Sequence, residues 1–168
     1  MPIRYSIYGS IINIVAILIL FYFGRHPLLL SPLFDARLPL YLIFILFSMK
    51  TYRDQYNGGV MHFWQAMTVG IVDYMSMALI VSLFIQVFAG IDSTHFLDTY
   101  ISLASVQMID NKEAFVETIG LSTFEDTLKQ LPSTTALHLA ADFLLKSMPV
   151  GLFLTIILAV FMRRKETN

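Results

Sequence analysis

The stretch that decides the fold reads YSIYGSIINIVAILILFYFG and runs from Tyr5 to Gly24. Its twenty residues carry no charge, and Asn13 is the strongest polar interruption. A helix of twenty residues is about 30 Å long, which matches the hydrocarbon core of a bilayer. We therefore interpret this stretch as a first membrane span.

A cleaved signal peptide is the alternative interpretation, with Arg4 as its basic end. The apolar run is too long for a signal core, however, and a cleavage site needs small residues. The bulky side chains of Phe21, Tyr22 and Phe23 stand in that place. We therefore favour an uncleaved span.

The composition of the whole chain also indicates a membrane protein. Of its 168 residues, 57% are hydrophobic and 14% are charged, and the mean hydropathy is +0.69. An ordinary soluble domain has about 25% charged residues. A chain of this length cannot hide so much apolar surface in its own core, so the surplus must face lipid.

The same composition excludes several functions. The net charge of −1 provides no basic surface for nucleic acid. The absence of cysteine from the sequence excludes disulfides, thiolate metal sites and cysteine nucleophiles. His138 and Asp142 have a spacing that a metal can use, but two ligands without a third are a weak signal. We expect no metal site and no cofactor.

The second apolar segment is the shortest. Leu38 to Met49 offers twelve uncharged residues, too few to cross a bilayer. Continued through Lys50 to Arg53, the helix reaches about 24 Å, and both cations can extend their charges to the headgroups. A short crossing over 38–54 is the favoured interpretation, and a buried or re-entrant segment is the alternative.

Two longer apolar segments follow, over residues 63–89 and 137–162. The chain is therefore predicted to be all-α, with a single domain over residues 1–168. We expect an integral membrane bundle of four transmembrane helices, over residues 5–24, 38–54, 63–89 and 137–162. A short extracytoplasmic helical insertion over 91–132 separates the third span from the fourth.

Basic residues in the short flanks predict the orientation. With the N-terminus in the cytoplasm, six of them lie on the cytoplasmic side and two outside: Arg4, Lys50, Arg53, Arg163, Arg164 and Lys165 against Arg25 and Arg37. Both termini are therefore expected to be cytoplasmic. The external stretch from Ile91 to Leu131 holds seven acidic residues and two lysines, a net charge of −5. Long acidic loops are exported largely regardless of charge.

The predicted insertion contains amphipathic segments. Apolar residues recur every four positions in a helix expected from about Ser93 to Met108. Ser122 and Glu125 have the spacing of a capping box that begins another short helix. We favour packing of these helices over the outer mouth of the bundle, and a dedicated binding site is the alternative.

Asp73 is the leading candidate for chemistry within the spans. A charge at the centre of a membrane helix costs about 2.5 to 3.5 kcal/mol and is rarely kept without a partner. We expect Asp73 to face the bundle interior, held by Asn13 or Lys50. A proton or ion relay is the functional interpretation, and a buried hydrogen-bonded carboxyl group is the favoured one.

The fourth span carries two further patterns. Asp142 and Lys146 are four residues apart, the spacing of an intrahelical ion pair. Small residues, which let helices approach closely, recur at four-residue spacing here and on the third span: Ser147, Gly151, Thr155 and Ala159, and Ala66 with Gly70. Their partner is either a span of the same chain or a second copy.

The loop after the second span is a further candidate. Tyr52, Arg53 and Asp54 follow Lys50 and precede a turn with two glycines. The two cations can bind lipid phosphates or the headgroup of a lipid-linked substrate. Alternatively, Arg53 and Asp54 only tie two helix ends together, which is the favoured interpretation.

These residues carry a family resemblance. The chain has Lys50-x-Tyr52-Arg53-Asp54, then Gly58-Gly59, Val60, Phe63, Gln65-Ala66 and Gly70, and later Ile91-Asp92, Gly120-Leu121-Ser122 and the basic end Arg163-Arg164-Lys165. It resembles, over nearly its whole length, a family of small bacterial inner-membrane proteins known only as a domain of unknown function. Ser93 departs from the proline common in that family. The resemblance implies an architecture and a location but no reaction.

Two classes of function agree with these observations. The first is a non-enzymatic accessory or scaffold protein that contacts the lipid bilayer and another membrane protein or a second copy. The second is a small proton, ion or lipid-linked-substrate carrier that uses Asp73. An enzyme is not expected, because the sequence has no recognisable nucleophile-base pair, metal cluster or phosphate loop.

Overall fold

The computed structural model describes residues 3–30, 37–91 and 95–163. These residues form seven α-helices and no β-strand: α1 (Ile3–Tyr22), α2 (Arg37–Thr51), α3 (Phe63–Ala89), α4 (Phe96–Asp110), α5 (Lys112–Ile119), α6 (Leu121–Gln130) and α7 (Ala136–Met162). Short 3-10 turns occur at Pro27–Leu29 and Leu131–Ser133, and a π-helical segment at Tyr52–Tyr56 follows α2. The chain is therefore all-helical wherever it is described.

Three helices of the described ranges, α1, α3 and α7, are long and apolar enough to cross a membrane. Helices α3 and α7 have 27 residues each, about 40 Å at the usual helical rise. Helix α2 has 15 residues, about 22 Å, which is shorter than the hydrocarbon core.

The four helices α1, α2, α3 and α7 pack side by side. Helix α3 contacts the other three and packs most extensively against α7, while α2 also contacts α1 and α7. Tyr5 near the start of α1 contacts Thr51 at the end of α2. Gly70 near the start of α3 lies against Thr155 near the end of α7. We call this end of the bundle the proximal end, and the opposite end the distal end.

The bundle has an apolar interior and an apolar exterior. Buried side chains form one cluster toward the proximal end, which includes Tyr41 and Met77, and one toward the distal end, which includes Ile85. Large apolar side chains are also exposed on the outer faces of the long helices, and Phe161 is 80% exposed. Such an exterior suits lipid and not water.

The helices between α3 and α7 lie at the distal end. Phe96, Ala104 and Met108 of α4 are buried, and α5 packs against α6. Gly120 separates α5 from α6 with a φ of +82°, a conformation open mainly to glycine. Helix α6 begins at Leu121, directly after this glycine, and no side chain caps it. The predicted capping box, with Ser122 as its first residue, is therefore wrong: the N-cap is Gly120, two residues earlier, because the glycine turn starts the helix.

The predicted start of the outer helix at Ser93 lies outside the described residues, as does Asp92 of the family pattern. Helix α4 begins at Phe96, after His95 in the left-handed conformation with a φ of 52°. Arg164 and Lys165 of the basic end also lie outside the described ranges.

Candidate functional site around a buried aspartate

One aspartate lies in the interior of the bundle. Asp73 on α3 has no exposed surface. The Ser6 hydroxyl of α1 donates a hydrogen bond of 2.6 Å to Asp73 Oδ1, and the Ser48 hydroxyl of α2 donates one of 3.3 Å to the same oxygen. Burial of a carboxyl group in apolar surroundings is costly without such donors. The hydroxyl groups of Ser6 on α1 and Ser48 on α2 therefore stabilise Asp73 of α3 in the interior of the bundle.

The register of α1 decides where the predicted partner Asn13 lies. Ser6 lies beside Asp73, and a methyl group on Gly9 would meet Met77. Helix α1 therefore begins about seven residues, or roughly 10 Å, further along the bundle than α3 does. Asn13 is displaced from Asp73 by a similar distance toward the distal end, and its Nδ2 has no hydrogen-bond partner among the described residues. The expectation that Asn13 holds Asp73 is wrong for this reason.

Lys50, the other predicted partner, is exposed. It lies two residues after Ser48, which places its side chain about 200° around α2 from the side that faces Asp73. The expectation that Lys50 holds Asp73 is therefore also wrong.

The sequence contained a signal for one of the true partners. Ser6, Ser10 and Asn13 recur at helical spacing in the first apolar run, and all three are buried on the inner face of α1. The helical periodicity of polar residues in this run indicates the face that meets the bundle. Ser48 follows an apolar run without a comparable pattern, so its role depends on the packing of α2.

Several buried polar atoms of the bundle lack a hydrogen-bond partner within the described residues. They include Asp73 Oδ2, Asn13 Nδ2 and Thr155 Oγ1. An unsatisfied buried polar group costs about 1–3 kcal/mol. A buried carboxyl oxygen without a partner, such as Asp73 Oδ2, can hold a proton or accept a hydrogen bond from a water molecule. In residues 3–30, 37–91 and 95–163, no group of three His, Asp or Glu side chains could hold a metal ion.

The small residues of α3 and α7 meet side chains of the same chain. A methyl group on Gly70 would lie 2.6 Å from Thr155 Cγ2 and 2.7 Å from Met49 Cε. A methyl group on Gly151 would lie 2.3 Å from Tyr74 Cδ2. The remaining residues of the two small-residue series are also buried: Ala66, Ser147 and Ala159. These residues therefore let α3 and α7 approach closely within one bundle.

The turn between α2 and α3 pairs its own charges. Arg53 Nε donates a hydrogen bond of 2.7 Å to Asp54 Oδ1, and a terminal nitrogen of the guanidinium donates one of 3.3 Å to Asp54 Oδ2. Tyr52, beside them, packs against the proximal cluster. Asn57 Nδ2 donates to Val60 O at 2.7 Å and to Gln65 Oε1 at 3.1 Å. The side chain of Asn57, which the sequence analysis did not single out, therefore links the turn to α3.

The first part of the family pattern, from Lys50 to Gly70, thus lies at the end of α2, in the α2–α3 turn and in the first turns of α3. A family model described as "Protein of unknown function (DUF4199)" matches residues 4–164. The chain belongs to this family. No curated protein and no solved structure matches it significantly. The match confirms the resemblance to a family of unknown function, and it assigns no activity to the DUF4199 chain.

The distal end of this DUF4199 chain carries an ion pair on α7. Lys146 Nζ lies 2.7 Å from Asp142 Oδ2, and both side chains are substantially exposed. The lysine extends along its own helix toward the distal end, as expected of a cation near the edge of a bilayer. Asp142 also acts on Tyr100 of α4, where burial, and then the charge of Asp142, raises the pKa of the phenol.

A buried histidine links the distal end of the bundle to α4. His26, after α1, is 4% exposed, and its Nε2 lies 3.2 Å from Phe96 O. Its ring lies 4.4 Å from the ring of Phe96 and 5.3 Å from that of Tyr100, measured between centroids. Burial lowers the pKa of His26 from 6.5 to about 4, against the opposing effect of its hydrogen bond to Phe96. No role for this histidine is predicted from the sequence, because no residue near it in the chain has a pattern that indicates one.

Proposed function

We propose that the chain crosses the bacterial inner membrane four times, with α2 as the second crossing. The support comes from the two faces of α2. Tyr41, Ile45 and Met49 are fully buried among α1, α3 and α7, whereas Ile43 and Phe47 on the other side are 44% and 45% exposed. A helix that packs inside a bundle and exposes apolar side chains outward is suited to a position in lipid.

The same proposal gives both termini a cytoplasmic location and places α4, α5 and α6 outside, as an extracytoplasmic insertion. It is supported by the basic residues at the proximal end, among them Arg4, Lys50 and Arg53, because positive charge favours the cytoplasmic side. Topology reporters fused after Lys165 and inserted near Lys112 should report opposite sides of the membrane. Reports from the same side would refute the four-span arrangement.

Within that arrangement, we propose a non-enzymatic accessory or scaffold role. One observation carries it: the small residues of the bundle interior, and one oxygen of Asp73, contact residues of the same chain. Asp73 accepts hydrogen bonds from Ser6 and Ser48, and Gly151 adjoins Tyr74. The surfaces of α5 and α6 remain largely exposed. Contacts with another membrane protein are therefore assigned to the outer helices.

Purification of the tagged full chain from its native membrane in a mild detergent tests this role. A partner should co-purify in a fixed ratio, and Ile119→Ser combined with Leu121→Ser should release it, because both side chains are exposed beside the α5–α6 turn. Thr123→Ser is the matched control and should retain the partner. A chain that elutes alone, or a partner that both variants retain equally, would contradict the assignment.

A second candidate function is a proton, ion or lipid-linked-substrate carrier that uses Asp73. It is supported by the hydrogen-bonding capacity left at Asp73 Oδ2, and at Thr155 Oγ1 on α7. Flux into proteoliposomes distinguishes the two functions. Proton or ion flux that Asp73→Asn abolishes and Ser10→Ala retains would support the carrier, whereas no flux from the wild-type chain would support the scaffold.

A further inference from the structure

Two cations at the proximal end have no acceptor for their charges in the part of the chain that the structure describes. Arg4 lies in the first turn of α1, and Lys50 lies in the last turn of α2. Both side chains are exposed. By contrast, Arg53 pairs with Asp54. The proximal end therefore carries positive charge that the described residues do not neutralise.

The contact between α1 and α2 brings these two cations to one side of the helix pair. Tyr5 Oη lies 2.8 Å from Thr51 Oγ1, which sets Tyr5 opposite Thr51. Each residue turns a helix by about 100°. Because the two helices are antiparallel, the residue before Tyr5 and the residue before Thr51 project to the same side. Arg4 and Lys50 are these residues.

That side of the helix pair faces away from α3. Ser6 and Ser48 project in the opposite direction and reach Asp73. On the side of the two cations, the rings of Tyr5 and Phe47 stack with their centroids 6.3 Å apart and their planes at 21°. Arg4 and Lys50 therefore lie on the same outer surface of the bundle as the stacked rings of Tyr5 and Phe47.

The position along the bundle corresponds to the headgroup level of a bilayer. Helix α1 has 20 residues, about 30 Å, so its first turn lies at one edge of the hydrocarbon core. Further along the same side, exposed apolar side chains of Tyr8 and Ile43 face the space that lipid chains occupy. The two cations at the headgroup level therefore suit the phosphate of a phospholipid, and the apolar surface further along the helices suits its acyl chains.

We propose that Arg4 and Lys50 bind the phosphate of an anionic phospholipid whose acyl chains lie along α1 and α2. Guanidinium binds phosphate oxygens through two parallel hydrogen bonds, and ammonium adds a mobile point charge. The site requires only that α1 ends at a membrane surface, so it does not depend on which side that surface faces or on the proposed scaffold role.

Native mass spectrometry of the full chain in detergent tests the site, with phosphatidylglycerol, phosphatidylcholine and inorganic phosphate as probes. Phosphatidylglycerol should bind more tightly than phosphatidylcholine. Each basic residue near an anionic lipid surface contributes about fivefold to affinity. The combined variant Arg4→Gln and Lys50→Gln should therefore raise the Kd for phosphatidylglycerol about 30-fold.

Two further variants make the test specific. The combination Arg25→Gln and Lys129→Gln removes the same charge from exposed positions elsewhere and should leave the Kd within about twofold. The charge-conserving combination Arg4→Lys and Lys50→Arg should retain most of the affinity. Circular dichroism of each variant should match that of the wild-type chain, since both side chains are exposed.

Three results would overturn the proposal. The first is equal affinity for phosphatidylglycerol and phosphatidylcholine. The second is equal weakening by the Arg25 and Lys129 control, which would indicate a general effect of net charge. The third is competition by inorganic phosphate at the same concentration as the lipid, which would assign the two cations to a free anion instead.

Discussion

The substitution Gly151→Ala tests the close approach of α3 and α7. Its methyl group would lie 2.3 Å from Tyr74 Cδ2 and 2.4 Å from Tyr74 Cγ. Atom Cγ adjoins Cβ, so the ring cannot avoid the methyl group by moving only its outer end. Tyr74 is also 5% exposed and has little room to change rotamer. We expect the two helices to separate locally.

The magnitude follows from two opposing effects. Adding a methyl group to a well-packed interior costs about 1–3 kcal/mol. The higher helix propensity of alanine relative to glycine offsets about 0.8–1 kcal/mol of that cost. Because the contacts of 2.3 Å and 2.4 Å place the first cost in the upper part of its range, at about 2–3 kcal/mol, the net loss in free energy of unfolding is about 1–2 kcal/mol. The effect should be global, because α3 and α7 share the most extensive interface of the bundle.

The assay is reversible unfolding in mixed micelles with increasing dodecyl sulfate, followed by far-ultraviolet circular dichroism. Gly9→Ala serves as the comparison, since its methyl group would meet mainly the flexible end of Met77, with Cε at 2.5 Å, and the edge of Phe44 at 2.9 Å. A smaller loss is expected there, because the thioether can move. Unchanged stability of Gly151→Ala, or an equal loss in both variants, would refute the packing argument.

Three other predictions concern single contacts. Ser6→Ala should lower the free energy of unfolding by about 1–3 kcal/mol, because Asp73 then keeps only its longer hydrogen bond of 3.3 Å. Ser10→Ala is the control in the same assay, since the Ser10 hydroxyl donates its hydrogen bond within its own helix. Acidification from pH 6.5 to pH 4 should cost up to about 3 kcal/mol through His26, and the difference between the wild-type chain and His26→Gln measures that cost. Gly120→Ala should make the α5–α6 turn more sensitive to limited proteolysis, because alanine in this left-handed conformation costs about 1–3 kcal/mol.

The sign of the His26 effect follows from its depressed pKa. The unfolded chain takes up a proton near pH 6.5, whereas the folded chain does so only near pH 4. Between these values the unfolded state binds more protons, so stability is fully present above pH 6.5 and falls as the pH falls. Equal pH dependence of the wild-type chain and His26→Gln would contradict this account.

Periodicity and length predicted the helical elements well, because they depend on local properties of the chain. The apolar runs around Asn13 and Asp73 form helices α1 and α3, and hydropathy alone predicts both helices. The start of α6 was predicted two residues too late, because the glycine turn at Gly120 replaced the expected side-chain cap at Ser122. Such boundaries depend on a few backbone angles, to which hydropathy is insensitive.

The buried position of Asp73 was expected, but its partners were not. Because Asn13 lies eight residues after Tyr5 and Asp73 lies nine residues after Trp64, pairing Asn13 with Asp73 requires α1 and α3 to begin at about the same level. The hydrogen bond from Ser6 shows that they do not. The displacement of one helix against another along the bundle depends on how the side chains of both helices fit together. It cannot be predicted from the sequence of either helix alone.

By itself, the sequence determined that this protein is helical and apolar enough for a membrane, since those properties are sums over neighbouring residues. Only the tertiary structure decided that Ser6 and Ser48 meet Asp73, that Tyr74 fills the space at Gly151, and that His26 is enclosed at the distal end. Each of these contacts joins residues far apart in the chain. Their register and rotation come from the packing of whole helices, which is a property of the assembled bundle.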